Sequence, residues 1–294
     1  MLTTREAFDK FRRRLELSET ERKDAIKRHN EVRGHIREDF DVDRDFLTGS
    51  YGRHTKTKPL KDIDCFFVLG EDEKWRRDKP PVGTLDAFQA TLSKHYPEDQ
   101  LEPGRRCITA FFQKKSYSEE SEEKVLSIDA VPAFPCGDHY EIPDRITGNW
   151  IKTNPERHAE TATAKNNEIS CQWVPLVKML KAWNRHQGKP VKPSFLVEVM
   201  AVDLVDAPFV SFPRELQGFF ASAGSTIGNP WPDPAGLGPA VSDQMTPELV
   251  ANARSLLSAA QGQAALAIRA EAEGRQGDAL AIWNALLGPL FAKT

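Results

Sequence analysis

GSYGRHTKTKPLKDIDCFFVL, residues 49–69, opens on a Gly-Ser turn and closes on an apolar run introduced by two acids. A strand alternates its side chains between two faces, so Asp62 and Asp64 share one face while Ile63 takes the other. Two carboxylates on one face repel unless a cation lies between them. Mg²⁺ suits that place, because it takes hard oxygen ligands from one or two carboxylates and completes its shell with water and substrate phosphates. A further acid, Asp129, lies inside the apolar run LSIDAVPAF. An ionised carboxylate there is costly unless it is paired or metal-bound. A salt bridge to arginine is the plain alternative; beside Asp62 and Asp64, metal binding is preferred, and a third acid makes the site a two-metal one.

Gly49-Ser50 follows a strand ending at Thr48, where backbone N–H groups and a hydroxyl can hold a triphosphate. Gly-Ser pairs and Asp-x-Asp pairs each occur in ordinary structure. Specificity comes from their combination, with Asp62 twelve residues after Ser50 and a lone acid on a later strand. Arg53, Thr55 and Lys56 add positive charge and a hydroxyl beside the turn, for phosphate contact or, in the case of Arg53, for pairing with one of the acids.

Working outward, Phe8, Phe11 and Leu15 fall on one helical face, Ser18 to Glu21 spells a capping box, and Ala25, His29, Val32 and Ile36 continue a second stripe. His29 reads as packing or surface. Strands are expected at DFLTG, DCFFVL, RRCITAFFQ and VLSIDAV, with a helix carrying Leu85, Phe88 and Leu92 between the second and third. The mixed-charge stretches 71–79 and 114–124 read as solvated loops. Asn154-Pro-Glu156 opens a mostly helical second half. The expected organisation is α/β (α+β): N-terminal bracing helices and a core over 1–150, and a helical lobe over 151–294 packed with it around one cleft.

In the second half Trp173, Leu176, Val177, Leu180 and Trp183 form an apolar face, with Lys178, Lys181 and Arg185 on its flank. Lys181 thus suits either a cation aimed at a cleft or a solvated surface position. Ser194 precedes an apolar run and reads as an N-cap, and Phe195 fits a core equally well. Residues 224–239 hold four Gly and four Pro and read as a long loop.

The chain has 294 residues, and 40 Lys and Arg against 43 Asp and Glu leave a formal charge of -3. That is a weak field for a polyanion, and residues 215–253 contain no Lys or Arg. No apolar run reaches the ~18 residues of a membrane span, and the first residues lack a signal peptide's apolar core, so a soluble, cytoplasmic protein without a membrane partner is expected. Cys65, Cys107, Cys136 and Cys171 stand far apart with no CxxC, and no paired His stands at ligand spacing, so neither a zinc site nor a disulfide framework is expected. The thiols read as mostly core.

The Gly-Ser turn, the Asp-Ile-Asp strand and the later lone Asp resemble the polymerase-beta-like nucleotidyltransferases. The spelling GSYGRHT followed by KDID is similar to that of the bacterial cGAS/DncV-like enzymes (CD-NTases), which make cyclic oligonucleotide second messengers. The resemblance continues through GNWIKTNPERHAE (148–160), Lys181-Ala-Trp183, Pro193-Ser-Phe195 and the terminal AIWNALLGPLF. It implies a mixed-sheet core with a helical lobe, Asp62, Asp64 and Asp129 as catalytic metal ligands, and Gly49 and Ser50 as the phosphate turn. It also implies triphosphate contacts from Lys181 and Ser194, and base stacking by Phe195 where the family often has Tyr. Two Mg²⁺ ions, with Mn²⁺ as an alternative, NTP substrates including ATP, a cyclic di- or trinucleotide product and an antiphage role follow from the same likeness. So does activation that is constitutive or comes from a HORMA-type protein regulator. The weak charge argues against a nucleic-acid activator. The rival readings are transfer of a nucleotide to an RNA end or a protein, and a non-enzymatic nucleotide-binding module; the first wants a basic groove, and the second normally shows a lost carboxylate.

Overall fold

The computed structural model describes residues 2–112 and 127–291. The elements follow in the order α1 (Thr4–Leu15), α2 (Glu19–Ile36), β1 (Val42–Thr48), α3 (Gly49–Gly52), β2 (Asp62–Leu69), α4 (Val82–Leu92), β3 (Leu101–Pro103), β4 (Ile108–Phe111), β5 (Ser127–Cys136), β6 (His139–Asp144), β7 (Asn149–Thr153), α5 (Pro155–Glu168), α6 (Trp173–His186), α7 (Ser194–Leu204), α8 (Phe212–Thr226), α9 (Pro247–Ala272) and α10 (Gln276–Leu287). They divide into two compact units, Leu17–His158 and Met1–Glu16 with Ala159–Thr294.

The first unit is built on a mixed sheet in the order β1-β2-β5-β4-β3, with β6 and β7 continuing from β5. Only β2 and β5 pair in parallel among these strands. Ile63, Cys65, Phe67 and Leu69 point to one face, where they meet Ala25, Val32 and Ile36 of α2 and Leu85, Phe88 and Leu92 of α4 in one buried cluster. The capping box of α2 does a second job. Glu21, fully buried, accepts from the N–H of Ser18 at 2.7 Å and of Leu60 at 2.8 Å, which ties the helix start to the chain leading into β2. On the opposite face Phe66, Val68, Val131 and Ala133 pack under Tyr140 and Ile142 of β6, and this cluster covers the half of that face beyond Asp64.

The second unit is helical. Its core gathers Trp173, Trp183 and Trp283 with Phe8, Phe11, Phe220 and Phe291. Phe8 meets Trp283 edge-on at 5.1 Å, and the Arg14 guanidinium donates to the carbonyls of Leu290 and Phe291. α1 therefore belongs with the C-terminal helices, because Phe8, Phe11 and Leu15 are all consumed in this core. The expected division at 1–150 and 151–294 differs from the observed one in that helix and in residues 151–158.

Other differences are local. Asn149–Thr153, just ahead of the helical start expected at Asn154 and given no element in the sequence reading, is β7, paired with β6. Residues 71–78 form a 3-10 helix rather than an open loop, with Glu73 buried and bonded to Arg76. The third and fourth expected strands have other bounds: β4 is Ile108–Phe111, and β5 runs on to Cys136. α8 extends to Thr226, so the Gly- and Pro-rich loop starts three residues later than expected, with Gly224 buried inside the helix. The charged stretch 114–124 lies outside the described residues. Of the four thiols only Cys65 is fully buried, and Cys171 is exposed.

Candidate active site

Period-2 alternation puts Asp62 and Asp64 on the same face of β2, and the parallel register sets Asp64 directly beside Asp129 of β5. Antiparallel pairing brings Thr48 of β1 opposite Asp64 and Thr109 of β4 opposite Asp129. Three acids on two neighbouring strands thus share one face with two threonines. The aromatic cluster takes the far end of that face, beyond the carboxylates.

Asp129 shows what this arrangement does to a charge. Burial pushes its carboxyl up to about 6, with Asp64 and Asp62 pushing in the same direction, against a hydrogen bond from Thr109 and the more distant Lys56. The Thr109 hydroxyl donates to Asp129 Oδ1 at 2.6 Å. Asp144 is the contrasting case of a buried acid paired by arginine. Burial would raise it, but hydrogen bonds from Arg105, the Thr147 N–H and Arg106 hold it at about 2. Among the described residues Asp129 accepts from a neutral hydroxyl, where Asp144 has two arginines. Cys107, on the same face as Thr109, is pushed up to about 12 by burial and then by Asp129, which leaves it an unreactive thiol.

Gly49 is fixed by the carboxylates. Its φ is +58°, and a Cβ built there would lie 1.7 Å from Asp64 Oδ2. Only glycine lets the backbone lie against that oxygen. The turn that follows is closed by the N–H groups of Thr55 and Lys56, both donating to the Ser50 carbonyl at 2.9 Å. This folds the Lys56 ammonium back to Asp62 Oδ2 at 2.7 Å. Lys56 is thus a cation paired with an acid of the cluster.

Gly49, Ser50, Asp62, Asp64 and Asp129 come together in the sheet unit. Lys181, Ser194 and Phe195 lie in the helical unit. Lys181, on α6, donates to Glu198 of α7 at 2.6 Å with its side chain only 10% exposed, so it is neither a solvated surface group nor unattached. Ser194 is the first residue of α7 and Pro193 takes the cap position, which corrects the N-cap reading. Phe195 is half-buried against the helical core. His29 bonds Asp45 at 2.7 Å, in keeping with packing. Thr109 was not singled out by sequence; the alternation of buried Ile108 and Ala110 puts it on the carboxylate face, but only the strand register brings it to Asp129.

The donor set fits a hard divalent cation. Its atoms are carboxylate oxygens, one of them on the buried Asp129 whose carboxyl is raised by that burial and by its acidic neighbours, and Gly49 keeps the backbone tight against another. A mixed sheet whose parallel pair concentrates acids at one end, next to a Gly-Ser turn, is the construction of the polymerase-beta-like nucleotidyltransferases, and this chain has that fold. Within that class it belongs to the SMODS family, the Second Messenger Oligonucleotide or Dinucleotide Synthetase domain, whose sequence profile matches residues 1–166.

Among curated relatives, a probable cyclic nucleotide synthase of Bacillus cereus (strain VD146) is 27% identical over 272 residues, covering 83% of this chain and 80% of the relative. A cyclic AMP-AMP-AMP synthase of an Acinetobacter species is 25% identical over 319 residues, covering 100% and 87%. Among solved structures, CdnC of E. coli MS115-1 with ATP superposes with a TM-score of 0.72 at 20% identity, over 98% of both chains. The same E. coli protein in a CdnC:HORMA-deltaN complex gives 0.69, again at 20% identity and over 98% of both. These structural likenesses are likenesses of fold. No helix among the described residues is long and apolar enough to cross a membrane.

Proposed function

We propose that this chain synthesises a cyclic di- or trinucleotide from NTPs, ATP among them, with Asp62, Asp64 and Asp129 as the ligands of two Mg²⁺ ions, for which Mn²⁺ can substitute. The observation that carries the reading is the register of Asp64 beside Asp129, with Asp62 on the same face. When bound, the ions supply a more acidic attacking ribose hydroxyl and neutralise the charge on the triphosphate and the leaving pyrophosphate.

The residues do the rest. Asp62 and Asp64 collect negative charge where the cations are needed, and Lys56 holds Asp62 until that charge is matched otherwise. Thr109 orients the Asp129 carboxylate through its hydroxyl. Gly49 and Ser50 present N–H groups and a hydroxyl to phosphate oxygens. Lys181 and Ser194 contact the triphosphate, and Phe195 stacks on a base, a face-on contact for which a Tyr hydroxyl is not required. A role in antiphage signalling in the cytoplasm, and a HORMA-type regulator of the kind seen with the E. coli relative, complete the proposal.

The test is to incubate the full chain with all four labelled NTPs and Mg²⁺ or Mn²⁺, with and without a HORMA-type partner, treat with phosphatase, and identify resistant products by mass spectrometry. The expected product is cyclic and contains adenosine. Label appearing only on an added RNA end or protein would favour the rival transfer reaction.

A further inference from the structure

Lys56 differs from the lysines of ordinary surface ion pairs. Its Nζ lies 2.7 Å from Asp62 Oδ2, yet its side chain is only 14% exposed, whereas that of Asp62 is 59% exposed. The lysine is thus covered by the protein while the acid that it meets stays open to ions from solvent. A surface pair such as Lys23 with Glu19 is open at both partners. Packing of the main chain explains the cover. Thr55 and Thr57 are buried on either side of Lys56, and the N–H groups of Thr55 and Lys56 both donate to the Ser50 carbonyl at 2.9 Å. The backbone at Lys56 is therefore tied to the Gly49-Ser50 turn, and the freedom that is left belongs to its side chain.

We propose that Lys56 is a transferable counter-ion, which neutralises Asp62 while the carboxylates hold no metal and passes to the triphosphate when metal binds. This rests on the reading of Asp62, Asp64 and Asp129 as metal ligands. Charge sets the order of events. Three acids sharing one face need positive charge at all times, and the ammonium supplies it to Asp62. A divalent cation on the same carboxylate puts two positive centres side by side, and a covered side chain is screened little by water and salt. Phosphate oxygens arriving at the Gly49-Ser50 turn offer the displaced ammonium a new partner, and the tie to the Ser50 carbonyl keeps it within reach of them. Phosphate contact, expected from the sequence, and the ion pair seen here are then successive positions of one side chain. Lysine suits the task, being a compact point charge on a flexible stem with no planar fork to be matched at either end.

Such a lysine couples two binding events. It competes with metal at Asp62 and assists the triphosphate at the turn, so each ligand removes an obstacle to the other, and linkage makes the effect reciprocal. Metal and NTP then load together. A nucleoside monophosphate, with less charge to offer the ammonium, gains much less from it.

The test uses the full chain and reads binding rather than turnover. Mn²⁺ binding without nucleotide is followed by electron paramagnetic resonance, and binding of a non-hydrolysable ATP analogue and of AMP by calorimetry at saturating Mg²⁺. Lys56→Met keeps the stem and removes the charge. It should bind Mn²⁺ at least about threefold more tightly than the wild type, and the ATP analogue roughly 10-fold more weakly, with a much smaller change for AMP. Lys56→Arg should stay near the wild type for Mn²⁺ and recover part of the affinity for the ATP analogue. A lysine that only braces the loop would not move metal and nucleotide in opposite directions. Unchanged or weaker Mn²⁺ binding by Lys56→Met, or equal losses for the ATP analogue and AMP, would overturn the proposal. Asp64→Asn separates the two levels, because it should lose Mn²⁺. Mn²⁺ retained there contradicts the metal assignment and the counter-ion role with it, whereas Mn²⁺ lost there but unaltered by Lys56→Met contradicts the counter-ion role alone.

Discussion

Asp129 is the residue on which the electrostatics of the site converge. Its carboxyl is raised above the ordinary value of 3.8 to about 6, so the folded chain binds that proton more tightly than the unfolded one. Its contribution to stability is therefore fully present below about pH 4 and is lost as the pH rises through about 6. Asp129→Asn does not titrate and keeps an acceptor for Thr109. In chelator at pH 7.5 it should be more stable than the wild type by roughly 1–3 kcal/mol, and the gap should close near pH 4. Thermal melts at the two pH values read this directly; a gap of unchanged size at pH 4 contradicts the cause. Thr109→Val removes the hydrogen bond that favours the ionised form, and should move the acidic limb of the kcat/KM profile to higher pH. Gly49→Ala places a methyl against Asp64 at a positive φ. It should cost roughly 1–2 kcal/mol of stability and lower product formation by more than tenfold, a loss out of proportion to the fall in Tm.

At the scale of elements, the pairing of α6 with α7 through Lys181 and Glu198 alters what a lysine variant reports. Glu198 is 2% exposed, so removing its cation should destabilise by on the order of 3 kcal/mol, whatever Lys181 does for nucleotide. The double variant Lys181→Ala/Glu198→Gln should recover most of the Tm. If the ammonium also meets the triphosphate, the apparent KM for NTP stays high in the double variant; a KM restored together with the Tm would leave Lys181 a purely structural role. Phe195→Leu tests the stacking proposal in the same way, with lost affinity at a steady Tm on one side and a lowered Tm at steady affinity on the other.

The elements also show where sequence stops being readable. Asp-Ile-Asp is legible because period-2 alternation is a local property of one strand. The capping box at Ser18 and the Asn154-Pro-Glu start are local too, and both sit where expected, the Asn154 side chain accepting from Arg157 N–H at 2.9 Å. The pairing of Asp64 with Asp129 and of Thr109 with Asp129 depends on non-local register, which no spacing encodes. β6 and β7 are short, with Pro143 inside β6 and Gly148 in the turn between them, so they lack the uniform alternation that marks β2. Lys181 reads as either a cleft cation or a solvated group, and its pairing is not legible because its acid lies on the next helix.

For the whole molecule, the central claim is that three carboxylates on two neighbouring strands hold the cations of a cyclic nucleotide synthesis. Family membership and fold give the class of reaction, and the sheet register gives the residues proposed for it. Asp64→Asn should abolish product while raising or preserving the Tm in chelator, since carboxylate repulsion is relieved. The most direct measurement is anomalous diffraction from crystals grown with Mn²⁺ and a non-hydrolysable ATP analogue. The account predicts two manganese peaks within coordination distance of Asp62, Asp64 and Asp129, with the triphosphate against Gly49 and Ser50. Manganese bound elsewhere, or a nucleotide bound with no metal at these three acids, would contradict it.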